Sequence, residues 1–329
     1  MVQDWSRQKE RGTRLGVLAA AWIYKLAGRR LALIVLAPVV LFFFLKDAGP
    51  RRSSREYLAR AHAYGLLEKR PTLLTSYRHF MMFTGALLDK FAAWSGHIPP
   101  SRIEGVDDGL FDAAKQSGRG AIIFTAHVGN PELIRAVATV NKRFNITVLV
   151  HTAHAEQFNS VIKQFASQST IRLVQVTQID LATAMQLSSA IDRGEWVVIA
   201  ADRTPANLTD PAMTAPATLF GHQARFPVGP YVLAAALKCP AFYLTCIRTG
   251  GQPPFKVTFR KFADPVVLPR KDRDAAFRRY AQTYADMLQE TLADAPLQWF
   301  NFYDFWASST PDNAPAGRDV KHSKATVVS

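Results

Sequence analysis

The chain has 329 residues, 48% of them hydrophobic and 20% charged, and carries a formal net charge of +14. That balance suits a globular protein with a sizeable core. Two cysteines, Cys239 and Cys246, exclude a disulfide framework, and no CxxC pair suggests zinc. The charge is uneven. Residues 1–80 hold 15 Lys and Arg against 5 Asp and Glu, so +10 of the excess lies there. A concentrated basic segment points to a polyanion, either nucleic acid or anionic lipid.

Residues 1–20 are polar and basic. Residues 31–45 then form fifteen consecutive uncharged positions ending in Leu41-Phe42-Phe43-Phe44-Leu45, flanked by Arg29, Arg30 and Lys46, with Arg51, Arg52 and Arg55 beyond. Nucleic-acid surfaces interleave single aromatics with Arg and Lys, whereas a solid apolar block between basic clusters is the pattern of a bilayer anchor. Fifteen helical residues rise about 22 Å, short of the roughly 30 Å hydrocarbon core. Pro38 lies inside as well. The block therefore reads as an interfacial or re-entrant helix, with a thinned or tilted crossing or an ordinary buried core helix as the alternatives, and not as a cleaved signal peptide. Residues 52–68 and 71–94 follow with helical periodicity, and Pro99-Pro100 breaks the chain.

From residue 120 the period changes. Apolar runs at 121–126, 146–150, 171–176 and 196–201 read as strands, and residues 131–143, 155–167 and 181–193 as helices between them. This alternation predicts an α/β fold, a largely parallel central sheet flanked by helices, with an N-terminal helical membrane anchor. A helix is predicted over 227–238, strands over 241–247 and 255–262, and an amphipathic helix over 272–292. The expected organisation is an anchoring region at 1–98, an α/β domain at 99–307 and a disordered tail at 308–329.

In open α/β sheets, ligands collect beyond the carboxyl ends of the strands. The first strand-to-helix turn reads Thr125-Ala126-His127-Val128-Gly129-Asn130-Pro131-Glu132. Asn130 suits a helix N-cap and Pro131 the first helical position. An imidazole and a carboxylate thus stand beside the N–H groups of a helix start, with no nucleophilic Ser or Cys in the loop. A hydroxyl attacks well only when a base takes its proton, and His127 is suited to that task. Glu132, bonded to the other ring nitrogen, would fix the tautomer, and the nearby N–H groups would stabilise an oxyanion. A turn-capping His127 and a Glu132 that only complements the helix dipole is the plainer alternative.

His127-Val128-Gly129-Asn130-Pro131-Glu132 resembles the H-x4-D/E motif of the lysophospholipid acyltransferase superfamily, in the HxGNxE form of its lipid A lauroyl/myristoyl (HtrB-like) branch. The resemblance extends to residues 194–203, to Leu219-Phe220-Gly221 with Phe226-Pro227-Val228-Gly229-Pro230, and to residues 299–306. It implies His127 as general base with Glu132 as its partner, acyl–acyl carrier protein as donor, a membrane lipid acceptor, and no metal or organic cofactor. It also implies an inner-membrane location with the catalytic part facing the cytoplasm, where the basic flanks meet an anionic membrane surface; no nucleic-acid partner is expected. Pro131 stands where the lipid A enzymes usually carry a large aromatic, and the ending at 301–306 looks more like acyltransferases of polyketide or aryl-polyene lipid pathways.

Further candidates for substrate binding are Asn130, Asp202, Arg203, His154 and Asn159. Asp202 and Arg203 end a predicted strand on the same sheet edge as His127, where Arg203 would bind a phosphate and Asp202 would orient a polar group. A salt-bridged turn is the alternative for that pair, and a solvated loop for His154 and Asn159. The six aromatics in residues 299–306 read as core. Two rival functions stay open at this point: a thioesterase or esterase using the same base on water, and a non-catalytic membrane-binding homologue.

Overall fold

A computed structural model describes residues 14–105, 109–131, 133, 146–150, 171–175, 181–203 and 211–306. The predicted helices at 131–143 and 155–167 and the tail at 308–329 fall largely or wholly outside these residues. The described chain opens with three helices, α1 (Arg14–Lys46), α2 (Ala48–Ala63) and α3 (Leu73–Trp94). Next come β1 (Ile103–Glu104), α4 (Gly109–Gln116), β2 (Ala121–Thr125), β3 (Ile146–Val150), β4 (Ile171–Gln175), α5 (Leu181–Asp192) and β5 (Trp196–Ala200). The remainder is the hairpin β6 (Thr214–Leu219) and β7 (His222–Pro227), α6 (Gly229–Leu237), β8 (Ala241–Arg248), β9 (Phe255–Ala263) and α7 (Arg273–Asp294).

Seven described strands form one sheet in the order β1-β9-β8-β2-β5-β3-β4. Within it β2, β5, β3, β4 and β8 run parallel, and the β8–β9 pair is antiparallel. The largely parallel sheet read from the alternation is therefore present. Both sheet faces are covered, which is why the central strands read as unbroken apolar runs. Successive residues of β2 serve opposite cores. Ile122 and Phe124 pack with α2, α6, α7 and the hairpin, whereas Ala121 and Ile123 pack with the end of α3, Ile98, Phe242 and Phe259. Trp299, Phe305 and Trp306 belong to the first core, with Tyr303 packed against it, and Phe300 is buried beside them.

The N-terminal helices share these cores. Tyr57 and Leu58 of α2 are fully buried, and the Tyr57 hydroxyl donates to the Pro296 carbonyl. α1 runs antiparallel along α3. Tyr24 meets Phe91, Arg29 pairs with Asp89 at 2.9 Å, the Tyr77 hydroxyl donates to the Ala37 carbonyl, and Phe44 packs on Tyr77 and Phe80. The apolar helix is longer than the fifteen residues read from the sequence. Leu18–Lys46 is 29 residues long and contains an 18-residue stretch of mean hydropathy 2.1, enough by length and composition to cross a membrane. Gly28, at φ 74°, kinks it, a conformation that a residue with a Cβ adopts only under strain. The stretch after that kink rises about 27 Å. The face of α1 turned away from α3 exposes Leu31, Ile34, Val35, Phe42 and Leu45.

One helix boundary differs from the sequence reading. Pro227 ends β7, and α6 starts at Gly229 with Pro230 in its first turn. The pairing of β7 with β6 claims residues that proline-start logic alone assigned to a helix.

Candidate active site

The geometry of the site follows from sheet register. β2 and β5 are parallel neighbours with Ala121 opposite Trp196 and Thr125 opposite Ala200. The ladder continues one step past the strand ends, where the Ala201 N–H donates to the Thr125 carbonyl at 2.9 Å. Carried two residues beyond the strands, the same offset sets His127 beside Asp202.

Asp202 is 1% exposed and accepts three hydrogen bonds. Its Oδ1 accepts from His127 Nδ1 at 2.8 Å, and its Oδ2 accepts from the His127 backbone N–H at 2.9 Å and the Trp299 indole N–H at 3.0 Å. Burial opposes ionisation of this carboxyl, but the His127 ring, the adjacent Arg203 charge and the Trp299 indole outweigh it and hold its pKa at about 2. An ionised acceptor on Nδ1 keeps the proton there and leaves Nε2 with its lone pair. The His127 side chain is 37% exposed. Among the described residues Nε2 has no hydrogen-bond partner, so it is open to a substrate.

The turn that carries His127 is fixed by backbone pairing. The Phe300 N–H donates to the His127 carbonyl, the Gly129 N–H to the Gln298 carbonyl and the Asn130 N–H to the Cys246 carbonyl at 2.7 Å. Gly129 is required here. Its φ is 58°, and a Cβ would lie 2.1 Å from the Cys246 carbonyl oxygen. The N–H groups of His127, Gly129, Asn130 and Leu133 are committed to protein acceptors, and those of Glu132 and residues 134–143, where the sequence reading put the start of the helix, lie outside the described residues. The loop crosses the end of β8 and residues 298–300.

The predicted site residues separate into two groups. His127, Asp202 and Arg203 come together. Arg203 donates to the Phe300 carbonyl at 2.8 Å and lies over the Tyr303 ring, so it also ties residues 299–306 to the strand edge. Asn130 is buried in the same turn, where its amide donates to the Ala86 carbonyl of α3 at 3.1 Å. Glu132, His154 and Asn159 lie outside the described residues.

Two participants were missed in the sequence. Trp299 donates to Asp202, and His79 of α3 holds Trp299 in turn. His79 is fully buried, and because its Nε2 contacts the Trp299 carbonyl at 2.8 Å, that nitrogen carries the proton. Its Nδ1 then accepts from the Ser54 hydroxyl at 3.0 Å, and Ser54 bonds Ser76 at 2.8 Å. Burial pushes the His79 pKa down to about 4, against the opposing pull of the Trp299 carbonyl. No pattern around His79 distinguishes it from a surface position of an amphipathic helix. Cys239 and Cys246 are buried with their thiols raised by burial, which leaves them poor nucleophiles.

Among known proteins, the family model for bacterial lipid A biosynthesis acyltransferases matches residues 68–308. A search of curated proteins gave no match.

Proposed function

Because the chain belongs to the bacterial lipid A biosynthesis acyltransferase family, we propose that it moves a fatty acyl chain from an acyl carrier protein thioester to a hydroxyl of a membrane lipid or lipid-like acceptor. The acceptor is a lipid A-type molecule or a polyketide or aryl-polyene lipid. His127 Nε2 takes the hydroxyl proton as the oxygen attacks the thioester carbonyl. The tetrahedral intermediate then collapses, the C–S bond breaks, and the departing sulfur takes the proton from the imidazolium. An ester and a free carrier-protein thiol result.

The observation that carries this reading is the His127–Asp202 contact at 2.8 Å with Nε2 left open. A buried carboxylate on Nδ1 both sets the tautomer and stabilises the imidazolium as it forms. We assign Glu132, five residues on, to the charge that develops on the imidazolium and to placing the acceptor, and Asn130 to holding the turn. Arg203 is assigned to a phosphate of acceptor or pantetheine arm, and His154 and Asn159 to the cleft wall. Residues 1–98 form the anchoring region in this scheme. They hold the catalytic part on the cytoplasmic face of the inner membrane, where water-soluble donor and membrane acceptor meet.

Mass spectrometry of lipids from cells with and without the protein tests the reading. The expected result is one acylated species that disappears with the protein and does not return with His127→Ala. Identical lipid profiles, with free fatty acid released from acyl carrier protein at equal rate with and without lipid, would replace the transferase by a thioesterase.

A further inference from the structure

Away from His127, a cavity of about 530 Å³ opens between α2 and the segment leading into α3, within the roughly 300–1,000 Å³ of typical small-molecule sites. Its lining includes four arginines, Arg51, Arg52, Arg55 and Arg70, together with His62. The one carboxylate on the wall, Glu56, pairs with Arg60 at 2.7 Å. Arg51 donates to the Phe44 and Leu45 carbonyls at the end of α1. His62 Nδ1 donates to the Leu67 carbonyl at 2.8 Å, which leaves Nε2 available. Among the described residues Arg52, Arg55 and Arg70 have no hydrogen-bond or ion-pair partner. Arg51 and Arg55 are four apart on α2 and Arg52 and Arg55 three apart, spacings at which like charges destabilise a helix. A bound anion relieves that repulsion.

The surroundings identify the kind of anion. Phe44 packs on Tyr77, so the end of α1 and the start of α3 lie side by side, and the cavity wall includes Ala48, Pro71 and Thr72 from the flanking turns. Leu45 at 63% exposure and Leu73 and Leu74 at 56% each stand at this same end. A concave basic pocket rimmed by solvent-facing leucines matches a phosphate with acyl chains attached.

We propose that this cavity binds the phosphate headgroup of an anionic glycerophospholipid, with Arg52, Arg55 and Arg70 as the phosphate ligands and the leucine rim against the chains. Such a site fixes the depth and orientation of the chain on the bilayer, which a uniformly basic surface does not. It is separate from acyl transfer, and its test requires no turnover.

The full chain in uncharged-detergent micelles is titrated with dihexanoyl phosphatidylglycerol, dihexanoyl phosphatidylcholine, inorganic phosphate and apo acyl carrier protein, reading Kd by thermophoresis. The wild type is expected to bind phosphatidylglycerol at least tenfold tighter than phosphatidylcholine or inorganic phosphate. The R52Q/R55Q/R70Q variant is expected to lose at least tenfold toward phosphatidylglycerol, and R270Q/K271Q/R278Q, exposed positions near and on α7, to lose none. Circular dichroism checks folding, and R70Q alone, expected to lose about threefold, serves if the triple variant does not fold. Equal affinity of wild type and triple variant for the lipid overturns the proposal. So does inorganic phosphate binding as tightly as lipid, or a triple variant that loses carrier protein while keeping lipid.

Discussion

Replacing Asp202 by asparagine removes one charge and reverses one hydrogen bond, and the geometry dictates which. Two donors, the His127 backbone N–H and the Trp299 indole, claim Oδ2, whereas only His127 Nδ1 faces Oδ1. The single amide oxygen of the substituted side chain therefore takes the Oδ2 position, and its NH2 donates to Nδ1. The imidazole proton is forced onto Nε2, where it blocks the nitrogen meant to act as base. General-base catalysis is worth about 10²- to 10⁴-fold, or about 3–5 kcal/mol of barrier. Two of three hydrogen bonds survive, so folding stability is expected to fall by only about 1–2 kcal/mol. The assay is thiol release and lipid acylation from acyl carrier protein, with membranes of cells lacking the protein as acceptor, beside a thermal melt. D202N is expected to transfer at least about 100-fold more slowly while remaining folded. Transfer within threefold of wild type in a folded D202N protein would refute the tautomer argument.

Glu132→Gln is expected to slow transfer at least about tenfold; a smaller loss in the same assay removes Glu132 from the mechanism and leaves Asp202 as the acid on His127. Gly129→Ala forces a Cβ to within 2.1 Å of the Cys246 carbonyl at a φ of 58°, and denaturant unfolding is expected to register a loss of about 3 kcal/mol or more. A near-neutral result would mean that the loop yields easily. His79 brings a pH dependence. Its folded pKa of about 4 lies below the ordinary 6.5, so its contribution is complete above pH 6.5 and is lost as pH falls through 4. The loss amounts to about 3 kcal/mol. Chemical denaturation at pH 7.5 and pH 4 is expected to show that slope in the wild type and to lose this component in His79→Gln; equal slopes would show that His79 is protonated without cost.

Strands were easy to read because burial on both faces leaves uninterrupted apolar runs, so β2, β3, β4 and β5 start where expected and end within one residue of it. The β6–β7 hairpin was missed. Its two-residue turn is Phe220-Gly221 with φ of 54° and 74°, a geometry whose usual signal is Asn-Gly or Asp-Gly. Phe220 is tolerated there because its ring is buried against Tyr57 and its N–H donates to Gln289 of α7. Both are long-range effects that local sequence does not display. Within the site, His127 and Asp202 were each legible as strand-end residues on one sheet edge, but their contact depends on the register of β2 against β5. Adjacency in sequence drew attention to Glu132, whereas the carboxylate on Nδ1 comes from 75 residues away. The Trp299–His79 support was invisible for the same reason. It joins α3 to residues near the end of the chain through a carbonyl oxygen, which leaves no mark on side-chain patterns.

The mechanism turns on Nε2 of His127 drawing the proton from an acceptor hydroxyl. His127→Gln keeps a side chain able to bond Asp202 but offers no base, so it isolates that step. Single-turnover transfer from acyl carrier protein into acceptor membranes is expected to fall at least about 100-fold in His127→Gln, with donor binding and melting temperature unchanged. A folded His127→Gln protein that acylates the same lipid at the wild-type rate would overturn the assignment of His127 as the base.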